Sequence, residues 1–308
     1  MTQQSDYKLN ENGMPSFDDL PLRKGDPMLV AAAAKSEIHT GERISLNWSL
    51  KAQPPSAFFN RRTFHHEIFA KPPRTVNDDV WAFNSQGSSQ WDGLRHFGYQ
   101  KEKLFYNGVT MVDIHGVDGK GGSESVLAWS QAGIVGRGIL LDLPSWRNSL
   151  NLPPYDPFST TPIPLSDLLS CLSYQKTAPH FGDILLIRTG FMTAHASKAP
   201  EELVCLQANL PHEFIGVEQS EEMLRWIWEY FSAVAGDQPA FEAWPTQKQW
   251  HMHEILLAGW GCPIGELFDL ERLAGRCQEQ GRWSFFLTSQ PCNVEGGVAS
   301  PPNILAIF

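Results

Sequence analysis

A mixed α/β domain is predicted by three continuous apolar runs that alternate with helical stretches. In the first, Ile134-Val135 passes through Gly136-Arg137-Gly138 into Ile139-Leu140-Leu141-Asp142-Leu143; the second is Asp183–Arg188 and the third Trp283–Leu287. An uninterrupted apolar run of this length reads as a strand covered on both faces. Helices are expected at Leu165–Leu172, Glu221–Tyr230 and Trp250–Ala258. In the second of these, Met223, Trp226, Ile227 and Tyr230 recur at helical spacing and form a core-facing stripe. Before Arg74 the pattern is weaker. Residues 1–50 read as an N-terminal arm or peripheral layer, because Pro15, Pro21 and Pro27 break the periodicity ahead of the short apolar run Val30–Ala34. Residues 51–308 read as one domain, with no internal repeat or linker.

Length and charge narrow the function classes. The 308 residues, 42% of them hydrophobic, suffice for a large core. A formal charge of -10 and the lack of a Lys/Arg-rich run argue against nucleic-acid or anionic-membrane surfaces, which need clustered cations. The expected partner is a small molecule. No apolar stretch approaches the roughly 20 residues that span a bilayer, and Met1–Asp6 lacks a signal pattern, so a cytoplasmic protein is expected. Five scattered cysteines without CxxC spacing give neither a disulfide framework nor a structural zinc site. Cys262 and Cys292 lie in motif-like regions, but burial as small hydrophobes is the plainer reading.

The segment Ser88-Ser89-Gln90-Trp91-Asp92-Gly93-Leu94-Arg95-His96-Phe97 concentrates an amide, a carboxylate and an imidazole beside aromatic residues. Asp92 and His96 are four apart, and Gly93 favours an irregular or 3₁₀-like turn that aims both at one point. Alone, the segment is equally compatible with an Asp92 turn cap and a satisfied His96. A second cluster runs from Trp250 to Leu267. There His253 sits on a helix ended by Gly259 and Gly261, and the chain turns back to present Glu266. His, Asp and Glu are a ligand set for Zn²⁺ or Mn²⁺.

Taken together, the two clusters resemble the cyclase family that includes bacterial kynurenine formamidase and isatin hydrolase. That family's early signature reads HxGTHxDxPxH, where this chain has Gln86-Gly87-Ser88-Ser89-Gln90-Trp91-Asp92-Gly93-Leu94-Arg95-His96. Further likeness lies in Gly136-Arg137-Gly138 with Asp142, in Gly182-Asp183 through Arg188-Thr189-Gly190, in His253 through Glu266, and in Ser300-Pro301. The resemblance implies a layered β/β/α architecture of the swivelling type with mixed sheets, and a homo-oligomer. Gln86 and Gln90 stand where the family's first two metal-binding histidines stand, whereas Asp92, His96, His253 and Glu266 keep the family's residue types. Ser89-Gln90-Trp91-Asp92 looks like a branch with a TQWD-type signature.

The resemblance also implies a mechanism. A single divalent ion, Mn or Zn (or Mg), held by Gln90, Asp92, His253 and Glu266 would activate water toward an amide, lactone or ester carbonyl. A glutamine oxygen is a weaker zinc ligand than imidazole, so a metal-free network around one water is the other possibility. His96 would be the general base, with Asp92 beside it. Trp91 and Phe97 would wall a planar substrate, unless they are ordinary packing, and Ser89 would order the substrate-binding loop by hydrogen bonds. His65-His66 and Asp113-Ile114-His115 read as ordinary polar satisfiers, with His115 and Tyr106–Gly108 as potential pocket borders. Glu242 receives no role. Gly296–Pro302 reads as a rigid loop close to a ligand. The competing functions are a lyase or cyclase using the same acid–base groups, a silent binding protein, and a scaffold.

Overall fold

The computed structural model describes residues 8–9, 15–16, 27–53, 57–116 and 127–308. Its centre is a nine-stranded mixed sheet, ordered Ala299–Ser300, Gln90–Asp92, Ile264–Glu266, Phe231–Gly236, Asp183–Arg188, Ile134–Asp142, Ser284–Ser289, Ile304–Ile307 and Arg43–Ser45. The four strands from Ile264–Glu266 to Ile134–Asp142 are parallel. Antiparallel strands flank them on both sides.

The three apolar runs are all strands, and alternation explains why they read as continuous. Ile139, Leu141, Leu185, Ile187 and Val234 enter one core, packed by the helices Leu165–Gln175 and Glu221–Tyr230. Leu140, Ile184, Leu186, Ala233 and Ala235 enter the other, against the helix Glu271–Gln280 and the rings of Trp91, Phe268 and Phe285. With apolar matter on both faces, period-2 side chains need no polar alternation. The layered mixed α/β architecture expected from the sequence is therefore observed.

Two boundaries differ from expectation. The first helix runs past Leu172 to Gln175, ending on Lys176 at φ 50°. The expected helix over 250–258 has its helical turns from Met252 and winds as a π-helix over Glu254–Gly259. Of the N-terminal 50 residues, Pro27–Glu37 is a helix and Arg43–Ser45 is the sheet's edge strand, with Ile44 and Leu46 buried in the second core. Pro21 lies outside the described residues. A hairpin, His65–Ala70 with Asn77–Ala82, stands apart from the main sheet. No helix among the described residues is long and apolar enough to cross a membrane.

Candidate active site

At one end of the sheet, the short strand Gln90–Asp92 pairs antiparallel with Ile264–Glu266, with Gln90 opposite Glu266 and Trp91 opposite Gly265. Strand alternation therefore sends Gln90, Asp92 and Glu266 to one face and Trp91 to the other. Gln90 Nε2 donates to Glu266 Oε2 at 2.8 Å. His96 follows on an irregular turn closed by its own N–H to Gly93 O at 2.9 Å, as the glycine predicts. Its Nε2 lies 3.8 Å from Asp92 Oδ2. From the turn that enters the π-helix, His253 Nε2 comes within 3.7 Å of the same oxygen and 3.1 Å of Glu266 Oε1.

The structure thus brings together Gln90, Asp92, His96, Phe97, His253 and Glu266. Phe97 lies beside the imidazoles of His251 and His253, ring centroids 5.0 and 5.4 Å away. Trp91 is a correction. It is fully buried on the opposite face, edge-on to Phe268, with its indole N–H donating to Ser289 Oγ at 2.8 Å, and it walls the core rather than a ligand. Ser89 is spent on the chain itself. Its hydroxyl donates to Leu267 O at 2.6 Å and accepts from Trp48 N at 2.7 Å, which joins three segments beneath the site and leaves the hydroxyl no direct role on substrate.

Two other residues belong here. Glu242 is fully buried and accepts from His253 Nδ1 at 2.6 Å, fixing the ring so that Nε2 faces Asp92 and Glu266. The signal for it was a lone acid inside the apolar stretch Pro239–Trp244, a position that demands a partner. Gly216 admits that stretch, since a Cβ there would lie 2.2 Å from the Glu242 carbonyl carbon. Arg61, half-buried, donates to Gln86 O at 2.9 Å, while Gln86 Nε2 donates to Asp92 Oδ1 at 2.8 Å and lies 3.3 Å from both His96 ring nitrogens. Nothing in the local sequence marks Arg61.

The other motifs behave as satisfiers. His66 pairs with Asp79 on the exposed hairpin, Asp113 closes a capping box with Thr110, and His115 is exposed. Cys171, Cys262 and Cys277 are buried, while Cys205 and Cys292 are exposed, and none of the five is in a disulfide. The stretch 296–302, read as a loop, contains the short strand Ala299–Ser300, whose Ala299 pairs with Asp92, and Gly93 N donates to Val298 O.

Burial acts against every charge in this cluster, and the neighbours decide the outcome. Burial raises the Asp92 carboxyl, but His96, His253 and Arg61 hold it below the usual carboxylate range. Glu266, buried beside Asp92, is pushed up to about 7. Burial opposes charge on His253 too, yet Glu242, Asp92 and Glu266 raise it well above an ordinary imidazole. Burial lowers His96, which keeps it neutral at neutral pH.

Asp92 Oδ2 and Gln90 Oε1 are buried without a hydrogen-bond partner, a costly condition unless something binds there. Asp92, His96 and His253 each offer a ligand atom, all within 4.8 Å of one another. Tetrahedral ligands at about 2.1 Å from an ion lie about 3.4 Å apart, so modest inward adjustment would close the set. The donors fit a divalent cation. This set shares Asp92 and His253 with the expected one and has His96 in place of Gln90 and Glu266.

No family model and no curated protein matches the sequence. Among solved structures, a novel cyclase is 30% identical to this chain, covering 92% of it and 93% of that chain with a TM-score of 0.79. The chain belongs to the cyclase family. Isatin hydrolase A from Ralstonia solanacearum (14% identity, 92% and 97% coverage, TM-score 0.59) shares the fold of this cyclase-family chain. So does a predicted metal-dependent hydrolase from Bacillus stearothermophilus (14% identity, 87% and 98% coverage, TM-score 0.51).

Proposed function

We propose that this cyclase-family protein is an enzyme that hydrolyses an amide, lactone or ester carbonyl of a small planar molecule, in the manner of kynurenine formamidase and isatin hydrolase. The observation that carries this reading is the convergence of Asp92, His96 and His253 around the unpartnered Asp92 Oδ2. Asp92 and His253, with Gln90 and Glu266 beside them, would hold a divalent cation such as Mn²⁺ or Zn²⁺. Such an ion lowers the pKa of bound water toward neutrality and polarises a carbonyl.

The chain's own groups account for the proton traffic. His96, kept neutral by burial, accepts a proton as water oxygen adds to the carbonyl carbon. It then returns that proton to the departing nitrogen or oxygen as the carbon–nitrogen or carbon–oxygen bond breaks. Gln86 positions the ring and Asp92 through its amide. Glu242 holds the His253 tautomer.

The geometry also supports His96 as a third metal ligand, and one variant separates the roles. If His96 is the base, His96→Asn loses about 10²–10⁴-fold in kcat while metal content, read by elemental analysis, is unchanged. Loss of the metal together with activity assigns His96 to the ion instead. Turnover in labelled water gives ¹⁸O in the product of a hydrolase, and its absence overturns hydrolysis in favour of a lyase or cyclase.

A further inference from the structure

We infer that Arg61 selects a substrate carrying a carboxylate, so that the molecule turned over at this site is a planar, aromatic-sized anion. The inference rests on the reading of the site given above. Arg137, Arg188 and Arg282 are half-buried like Arg61, and each holds a carboxylate within 3.1 Å. Arg61 holds none among the described residues; it spends one N–H on Gln86 O and lays its guanidinium 4.9 Å from the Phe59 ring centre. Its remaining donors form the planar fork that matches a carboxylate.

The position is as telling as the lack of an ion pair. From Arg61, aromatic rings run from Phe59 to Trp244 (5.8 Å), to His251 (5.9 Å) and to Phe97 (5.0 Å), which adjoins His96 and His253. Arg61 lies on Phe59 at one end of this run of rings, and His96 and His253 adjoin Phe97 at the other. Arg61 is tied to the cluster through Gln86, whose carbonyl it binds and whose side-chain amide reaches Asp92 Oδ1 and the His96 ring. Its stacking on Phe59 limits the directions the fork can take, which favours one orientation of a bound anion.

The test reads binding, not turnover. The purified full-length protein is titrated calorimetrically with benzoate and with benzamide, matched in shape and differing in charge. The wild type is expected to prefer benzoate by tenfold or more, as a charge-assisted pair supplies; Arg61→Gln abolishes the preference and Arg61→Lys keeps part of it. Melting temperature shows that both variants fold. Equal affinity of the wild type for the two probes, no binding of benzoate at millimolar concentration, or a benzoate preference that survives Arg61→Gln overturns the inference, the last by assigning the carboxylate to another group. A benzoate preference together with product that lacks ¹⁸O from labelled water would sink the hydrolase reading and leave Arg61's role standing.

Discussion

Glu242 and Asp237 are both fully buried carboxylates, yet their neighbours give them opposite behaviour. Burial raises Glu242, but the His253 imidazole at 2.6 Å prevails and holds it below the usual range. Glu242→Gln keeps an acceptor but removes the charge that secures the His253 tautomer. Metal affinity should fall about 10–100-fold, measured by competition with a chelator, and unchanged affinity would refute the positioning role. Asp237 accepts from Thr189 N, Thr189 Oγ1 and Gly190 N, but burial outweighs them and pushes it up to about 6. A folded value raised above the unfolded one adds stability that is complete below about pH 4 and lost as pH rises through about 6. Raising the pH from 5 to 7 should therefore change the melting temperature less favourably in the wild type than in Asp237→Asn; identical changes would refute it. At this scale Asp92, His96, His253 and Glu266 stood out as polar side chains near glycine turns, and it was the family resemblance that joined the two clusters into one site. The sequence misdirected Trp91 because the turn reading hid a three-residue strand, in which neighbours face opposite ways. It passed over Arg61 because that residue lies 25 positions before Gln86, the residue it binds, in a stretch without a motif.

The strand pair Gln90–Asp92 and Ile264–Glu266 is the element on which the site rests, and its two faces make incompatible demands. One face presents Gln90, Asp92 and Glu266; the other packs Trp91 against Phe268. Gly265 allows this, since a Cβ there would lie 2.7 Å from Ala235 Cβ and 2.9 Å from the Trp91 ring. Gly265→Ala is expected to cost about 1–3 kcal/mol by denaturant unfolding. It should also reduce activity by tilting Asp92 and Glu266; a variant as stable as wild type would contradict the packing account. The long apolar strands were legible because burial on both faces makes each run continuously apolar. The π-helical winding after His253 was not, since apolar spacing alone cannot separate an α-turn from a widened one.

At the scale of the molecule, four parallel strands form a rigid centre and the site lies where antiparallel additions begin. The outlying hairpin exposes Ile68, Val80 and Trp81, with Trp81 58% accessible. An isolated two-stranded hairpin is marginal in water. We extend the homo-oligomer expected from the family resemblance to a pairing of copies that covers it. Light scattering should give about twice the 34.5 kDa chain mass, falling to one chain in Trp81→Glu, and a monomeric wild type would refute this. The pairing of Gln90–Asp92 has a further consequence for the life of the chain. Its two strand partners, Ile264–Glu266 and Ala299–Ser300, come from the last fifth of the polypeptide. Each contact closes a very long loop and forms only after that entropy has been lost. A chain emerging from the ribosome carries Asp92 and His96 early but has no pocket to put them in. Asp92 and His96 are therefore held in their mutual geometry only once both of these late-coming segments have docked on Gln90–Asp92.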